Sequence, residues 1–207
     1  MTRTRRKPIF FIRMGEFSMS ESALLPEIIV FAGPNGRGKS TITRLSRTVG
    51  IYINADDIKR ATLCSDLEAA QKAELMREQA VDKKEDFTFE TVLSTDRNLI
   101  LLRKAKAQGF FIRCIYVLTA NPDINVARVM IRQSQGGHGV PEDKVRSRYY
   151  KALALIPDLV AVCDVLHIYD NTTEPYRIFK KRKDKCFWWP NEFWTEDAIL
   201  ALTGVRP

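Results

Sequence analysis

The chain has 207 residues, 45% hydrophobic and 28% charged, enough for one domain with a real core. No apolar run approaches the ~18 residues that cross a bilayer, so a soluble chain without a membrane role is expected. The formal net charge of +8 is concentrated in two places, and neither by itself calls for a nucleic-acid partner, because solvated basic segments explain the excess equally well.

The first concentration is at the amino end, where Arg3, Arg5, Arg6, Lys7 and Arg13 stand against Glu16. The apolar run Ile9-Phe10-Phe11-Ile12 is too short for a signal-peptide core. Met14 and Met19 are alternative starts, and residues 1–25 are read as a basic extension ahead of one domain spanning 26–207.

Residues 27–32, Glu-Ile-Ile-Val-Phe-Ala, form a short β-branched run suited to a buried strand. The octet Gly33-Pro34-Asn35-Gly36-Arg37-Gly38-Lys39-Ser40, followed by Thr41, matches G-x-x-x-x-G-K-[ST]. Glycines let the backbone curl round phosphates, and the turned amides make an anion nest. Lys39 would add charge at the β/γ-phosphates, and Ser40 would hold Mg²⁺. A helix is predicted over 39–48, so strand, glycine loop and helix follow in the order that nucleotide binding requires.

Further strands are predicted at 51–54, 86–90, 111–118 and 165–169, with another at an edge over 176–181. Helices are predicted over 56–84 in two pieces, then 95–108, 122–134, 141–156 and 195–203. Such alternation implies an α/β fold with a mostly parallel sheet covered on both faces. Gln135-Gly136-Gly137-His138-Gly139 interrupts two Arg-bearing helices and reads as a hinge, with a lid around 132–148.

Ligands of open α/β sheets bind at the carboxyl ends of strands. Asp56 and Asp57 follow the second strand; either is a candidate base for an acceptor hydroxyl or a helix N-cap, and Asp56 is favoured as the base. Glu90 ends the third strand beside Thr91 and Ser94, a group suited to a polyol or sugar. Arg128 and Arg132 share a helix face, and Arg146 and Arg148 lie beyond the hinge; such arginines can neutralise a phosphoryl group in transfer. Cys64, Cys114, Cys163 and Cys186 have no metal-binding spacing, which agrees with a reduced, cytoplasmic setting. His167 reads as a core residue, and the aromatic run Phe187-Trp188-Trp189 with Trp194 as packing for a carboxy-terminal helix.

With these motifs in hand, the chain resembles the zeta-toxin family of P-loop kinases, in its compact stand-alone branch. The resemblance runs from about Ile28 to Asn171 and is carried by G-P-N-G-R-G-K-S-T at 33–41, I-N-A-D-D-I at 53–58, F-E-T-V-L-S at 89–94, and R-Q-S-Q-G-G-H-G-V-P at 132–141 continuing to R-S-R-Y-Y at 146–150. It implies a three-layer P-loop kinase fold with a five-stranded central sheet. It also implies ATP- and Mg²⁺-dependent phosphorylation of a hydroxyl of UDP-N-acetylglucosamine. By the same resemblance Lys39, Asp56, Arg128 and Arg132 are catalytic residues, residues 33–41 hold the nucleotide, and Asp56, Glu90, Thr91, Ser94 and Arg148 contact the acceptor. Residues 169–172 resemble a loop near the adenine, and a separate antitoxin protein is an expected partner. Val92 departs from the pattern, standing where related sequences usually carry a second hydroxyl. The residues alone leave two alternatives: a kinase for a nucleoside, an antibiotic or a polynucleotide 5′ end, and a nucleotide-dependent protein that contacts nucleic acid through 177–185.

Overall fold

A computed structural model describes residues 25–36, 46–136 and 139–207. The amino-terminal extension, Arg37 to Thr41, the bulk of the expected 39–48 helix and His138 lie outside these described residues; residues 46–48, at the end of that expectation, are not helical.

Seven strands form one sheet: β1 (Glu27–Ala32), β2 (Ile51–Ile53), β3 (Phe87–Thr91), β4 (Phe111–Leu118), β5 (Val165–Asp170), β6 (Tyr176–Arg182) and β7 (Lys185–Trp188). Their order is β2-β3-β1-β4-β5-β6-β7. The five strands from β2 to β5 are parallel, as expected from the strand–helix alternation. β6 and β7 extend the sheet antiparallel.

The described helices are α1 (Ala55–Thr62), α2 (Asp66–Lys83), α3 (Arg97–Ala107), α4 (Pro122–Ser134), α5 (Glu142–Ala154), α6 (Ile156–Val162) and α7 (Glu196–Thr203). Local chemistry sets their starts. Asn54 caps α1 by accepting from the Asp56 amide at 2.9 Å. Ser65 and Glu68 form a capping box on α2. Asn121 caps α4, with Pro122 in its first turn.

One face of the sheet carries the main core. Ile28, Val30, Phe87, Phe89, Ile112 and Tyr116 pack there against Leu102 of α3, Leu159 of α6 and Ile199 of α7. On the opposite face Ile29 and Phe31 pack with Val49 and Ile115. Thr88, fully buried, accepts from the Val49 amide and donates to its carbonyl, each at 2.8 Å, which satisfies two backbone groups that burial would otherwise penalise. Val126 and Val129 of α4 meet Val145 of α5 and hold these two helices together.

The structure differs from expectation at three places. The helix expected over 141–156 ends at Ala154, and a further helix that was not expected, α6, follows at once with Pro157 in its first turn. The strand at 176–181 is not the edge: Lys183, at φ +53°, turns the chain into β7, and a charge-rich hairpin tip concealed that strand in the sequence. His167 is not a member of the main core. It lies half-buried on the other face, stacked on Tyr169 with ring centroids 6.2 Å apart.

Burial first, then the nearby Arg177, Lys180 and Arg113, hold the His167 imidazole down to about 4 from 6.5. A group whose protonation is disfavoured in the folded state stabilises the fold above the unfolded value and withdraws that stability as pH falls toward the folded one. Urea denaturation at pH 7 and pH 4.5 is therefore expected to show wild type losing about 2 kcal/mol more than His167→Gln over that interval. Equal losses in the two proteins would refute the assignment.

Candidate active site

The carboxyl ends of β2, β3, β1 and β4 gather the polar residues that the sequence singled out. β1 runs directly into Gly33, whose amide donates to the Thr91 carbonyl of β3 at 3.1 Å. Gly36 has φ +79°, and a Cβ there would lie 2.4 Å from the Asn125 carbonyl oxygen. Only glycine satisfies both conditions. The Asn125 side chain, fully buried in the first turns of α4, donates to the Asn35 carbonyl and accepts from the Thr119 hydroxyl. Tyr149 of α5 donates to the Thr119 carbonyl at 2.6 Å. A buried polar chain thus runs from α5 through the end of β4 and α4 to the loop. Pro34 lies between the two clamped glycines.

The acidic side of the cleft is built from β2, α1 and β3. β3 sits between β2 and β1, so Glu90 stands between Asp56 and the loop. The Tyr52 hydroxyl donates to Glu90 Oε1 at 2.5 Å, and Asn54 Nδ2 reaches that hydroxyl at 3.4 Å. Burial and the Glu90 carboxylate raise the Tyr52 phenol well above its usual range, so it remains a donor at physiological pH. Asp57 is held by Arg60 one turn along α1. Asp56 is exposed, and its carboxylate has no hydrogen bond or ion pair among the described residues. The two neighbouring aspartates therefore stand in different situations.

Thr91 points to the side of β3 opposite Glu90. Its hydroxyl accepts from the Leu93 amide at 3.0 Å and from Asn98 Nδ2 at 2.8 Å, so it shapes the turn in which Leu93 takes φ +54°. This corrects the expectation that Thr91 and Glu90 act side by side on one ligand. Ser94 is half-buried and makes no hydrogen bond among the described residues.

The arginines separate. The Arg128 guanidinium donates to the carbonyls of Asn171 and Thr172 at 2.8 and 3.0 Å, which ties α4 to the loop after β5. That position is across the sheet from Asp56. Arg146 spans Asp123 and Glu142 and so ties α5 to α4. Arg132 is exposed one turn beyond Arg128, and Arg148 is half-buried without a described partner. Among the described residues no group of three or more His, Cys, Asp or Glu can hold a metal. That leaves the expected Mg²⁺ site unaffected, since magnesium arriving with nucleotide phosphates needs one or two protein oxygens.

No protein-family model matches the chain. An uncharacterized protein of Haemophilus influenzae is 32% identical over 127 residues, covering 58% of this chain and 91% of the relative. The chain belongs to the same family as that protein. Among solved structures, a chain of the PezAT chromosomal toxin–antitoxin system of Streptococcus pneumoniae superposes with a TM-score of 0.62 at 15% identity, covering 91% of this chain and 82% of that one. The AvrRxo1-ORF1:-ORF2 complex solved with ATP gives a TM-score of 0.64 at 13% identity, covering 86% of this chain and 62% of that one. The chain shares the fold of these two structures.

Sequence reasoning missed Tyr52, Thr119 and Asn125. Tyr52 lies one position before the I-N-A-D-D-I motif and had a strand residue's composition. Asn125 had no local signal, because its partner Asn35 is 90 positions away. Asn125→Asp keeps the volume and removes the donor to the loop. It is expected to weaken a fluorescent ATP analogue about tenfold or more, since the loop loses a buried hydrogen bond and gains a charge. An unchanged dissociation constant would show that the clamp does not hold the loop.

Proposed function

We propose that this chain is an ATP-dependent phosphotransferase with an alcohol as acceptor. The observation that supports it best is the uncommitted Asp56 carboxylate beside the Tyr52–Glu90 pair, one strand away from a glycine turn clamped by Asn125. The fold, shared with a structure solved with ATP, agrees with this reading.

In this reading the loop 33–41 cradles the triphosphate, with Lys39 at the β/γ-phosphates. Magnesium held by Ser40 would neutralise phosphate charge when bound. Glu90, oriented by Tyr52, accepts hydrogen bonds from the acceptor's hydroxyls, with Ser94 alongside. Asp56 takes the proton of the attacking hydroxyl as its oxygen bonds to the γ-phosphorus and the bond to the β-phosphate oxygen breaks, leaving ADP. Arg132 and Arg148 approach the transferred group when the lid 132–148 closes. Arg128 acts from the nucleotide side, where it holds the 171–172 loop.

The acceptor in this reading is UDP-N-acetylglucosamine or a related sugar nucleotide, which rests on the motifs at 53–58, 89–94 and 132–150. Val92 is the position at which another alcohol would be favoured instead. A separate antitoxin protein belongs to the same reading, since the PezAT structure is of a toxin–antitoxin system. The domain is taken as 26–207, working in the cytoplasm where ATP is supplied. No described helix is long and apolar enough to cross a membrane.

Transfer of labelled γ-phosphate to a panel of sugar nucleotides, nucleosides and oligonucleotides tests the proposal. UDP-N-acetylglucosamine is expected to become labelled, and Asp56→Asn is expected to lower turnover by roughly 10²-fold or more with ATP affinity almost unchanged. Labelling of another compound alone would overturn the acceptor, and undiminished turnover in Asp56→Asn would overturn the base. Tyr52→Phe leaves Glu90 without its orienting donor. It is expected to raise the acceptor KM about threefold to tenfold with a smaller change in kcat. The reverse split would place Tyr52 in the chemical step.

A further inference from the structure

Helix α2 turns a cation toward the sheet. Arg77 lies on the side of α2 that sets Ala73 and Ala80 against the core. Its guanidinium lies over the fully buried Phe89 ring, 5.2 Å from the centroid. Phe89 pairs with Ile53 of β2 and immediately precedes Glu90 in β3. Ala55 and Ile58 of α1 and Met76 of α2 pack on the same core as that ring. Arg77 therefore shares its side of the sheet with α1, whose first turn carries Asp56.

The carboxylates one turn away on α2 are engaged with α3. Glu74 pairs with Arg97 at 3.6 Å, and Glu78 with Lys104 at 2.7 Å. Among the described residues Arg77 makes no hydrogen bond or ion pair, and its Nε is sealed from solvent without an acceptor. Burial draws the guanidinium below its ordinary value, and Glu74 and Glu78 oppose that fall without coming within ion-pair distance. The group stays charged at neutral pH all the same, because an arginine starts so high.

Sequestering a charge without a partner is unfavourable, and the contact with the Phe89 ring offsets only part of that. A methionine would cover the ring with no charge to desolvate. What the guanidinium adds is a planar fork of N–H donors, which contact with a ring face leaves available. That fork fits a phosphate or a carboxylate, each of which accepts two parallel hydrogen bonds.

We propose that Arg77 determines acceptor specificity by taking an oxyanion of the acceptor, so that the alcohol to be phosphorylated carries a phosphate or carboxylate of its own. The inference rests on the phosphotransferase reading and narrows its acceptor class. Strand alternation puts Glu90 and Phe89 on opposite sides of β3. An acceptor lying across the end of that strand meets Glu90 with its hydroxyls on one side and Arg77 with its anionic group on the other. UDP-N-acetylglucosamine, with two phosphates, belongs to this class, and N-acetylglucosamine alone does not.

The test is a ¹⁵N NMR titration of the wild-type chain, read at the Arg77 Nε–H and assigned through the carbons of its own side chain. A non-hydrolysable ATP analogue with magnesium occupies the loop 33–41 throughout, so that added anions do not settle there. UDP-N-acetylglucosamine, glucose 6-phosphate and glucuronate are compared with neutral N-acetylglucosamine. A saturable shift is expected with at least one of the anionic sugars and none with the neutral one. A response to the two phosphate compounds alone identifies the oxyanion as phosphate, and a response to glucuronate alone identifies it as carboxylate. In transfer of labelled γ-phosphate, Arg77→Gln is expected to raise the KM of the anionic acceptor at least about tenfold with kcat within about threefold, and Arg77→Lys to recover part of the loss. ATP affinity is expected to stay unchanged in both variants. If no compound is phosphorylated, the phosphotransferase reading fails, and the titration still decides whether Arg77 holds an oxyanion. A signal that no anionic sugar moves, one that the neutral sugar moves equally, or an unchanged KM in folded Arg77→Gln would overturn the proposal and leave the phosphotransferase reading intact. The titration is read on wild type, so it decides the matter even if a variant does not fold.

Discussion

The backbone of Gly33–Gly36 is clamped from two sides, and the site depends on that clamp. On one side the Gly33 amide is held by the Thr91 carbonyl of β3. On the other, Gly36 rests against the Asn125 backbone, and the Asn125 side chain grips the Asn35 carbonyl. A phosphate-binding turn works by presenting amides at fixed positions, and amides left to wander lose that advantage to conformational entropy. Parallel pairing of β1 with both β3 and β4 makes the clamp possible, because it brings three strand ends to one edge.

The same edge separates acidic from basic side chains. Asp56, Glu90 and Tyr52 gather at β2 and β3, whereas Arg128 sits beyond β4 against the loop that follows β5. In the proposed reaction, the acceptor and the nucleotide would lie on opposite sides of the glycine turn. α5 is linked to the turn, since Tyr149 reaches Thr119 and through it Asn125. One buried chain of hydrogen bonds therefore joins α5 to the turn at Asn35.

Local patterns in the sequence were enough for the elements that carry strong signals. The β1 run and the helix from Pro122 act over a few positions, so their outcome could be read directly; the cap expected of Asp56 or Asp57 is instead Asn54. The positions of Asp56 just after β2 and of Glu90 near the end of β3 could also be read from the strand pattern. What escaped was set by tertiary contacts. The roles of Asn125 and Thr119 arise from pairing across the fold. Thr91 seemed a partner for Glu90 until strand alternation put it on the other side. The hairpin Tyr176–Trp188 read as a basic cluster because its charges face one side and its core residues the other, a pattern that net charge conceals.

Isothermal titration of the full chain with ATP in the presence of magnesium tests the central claim most directly. Saturable one-to-one binding that disappears in Lys39→Ala is the expected result. Absence of heat from correctly folded protein over a range of temperatures, or full binding in Lys39→Ala, would contradict the assignment of residues 33–41 as the nucleotide cradle.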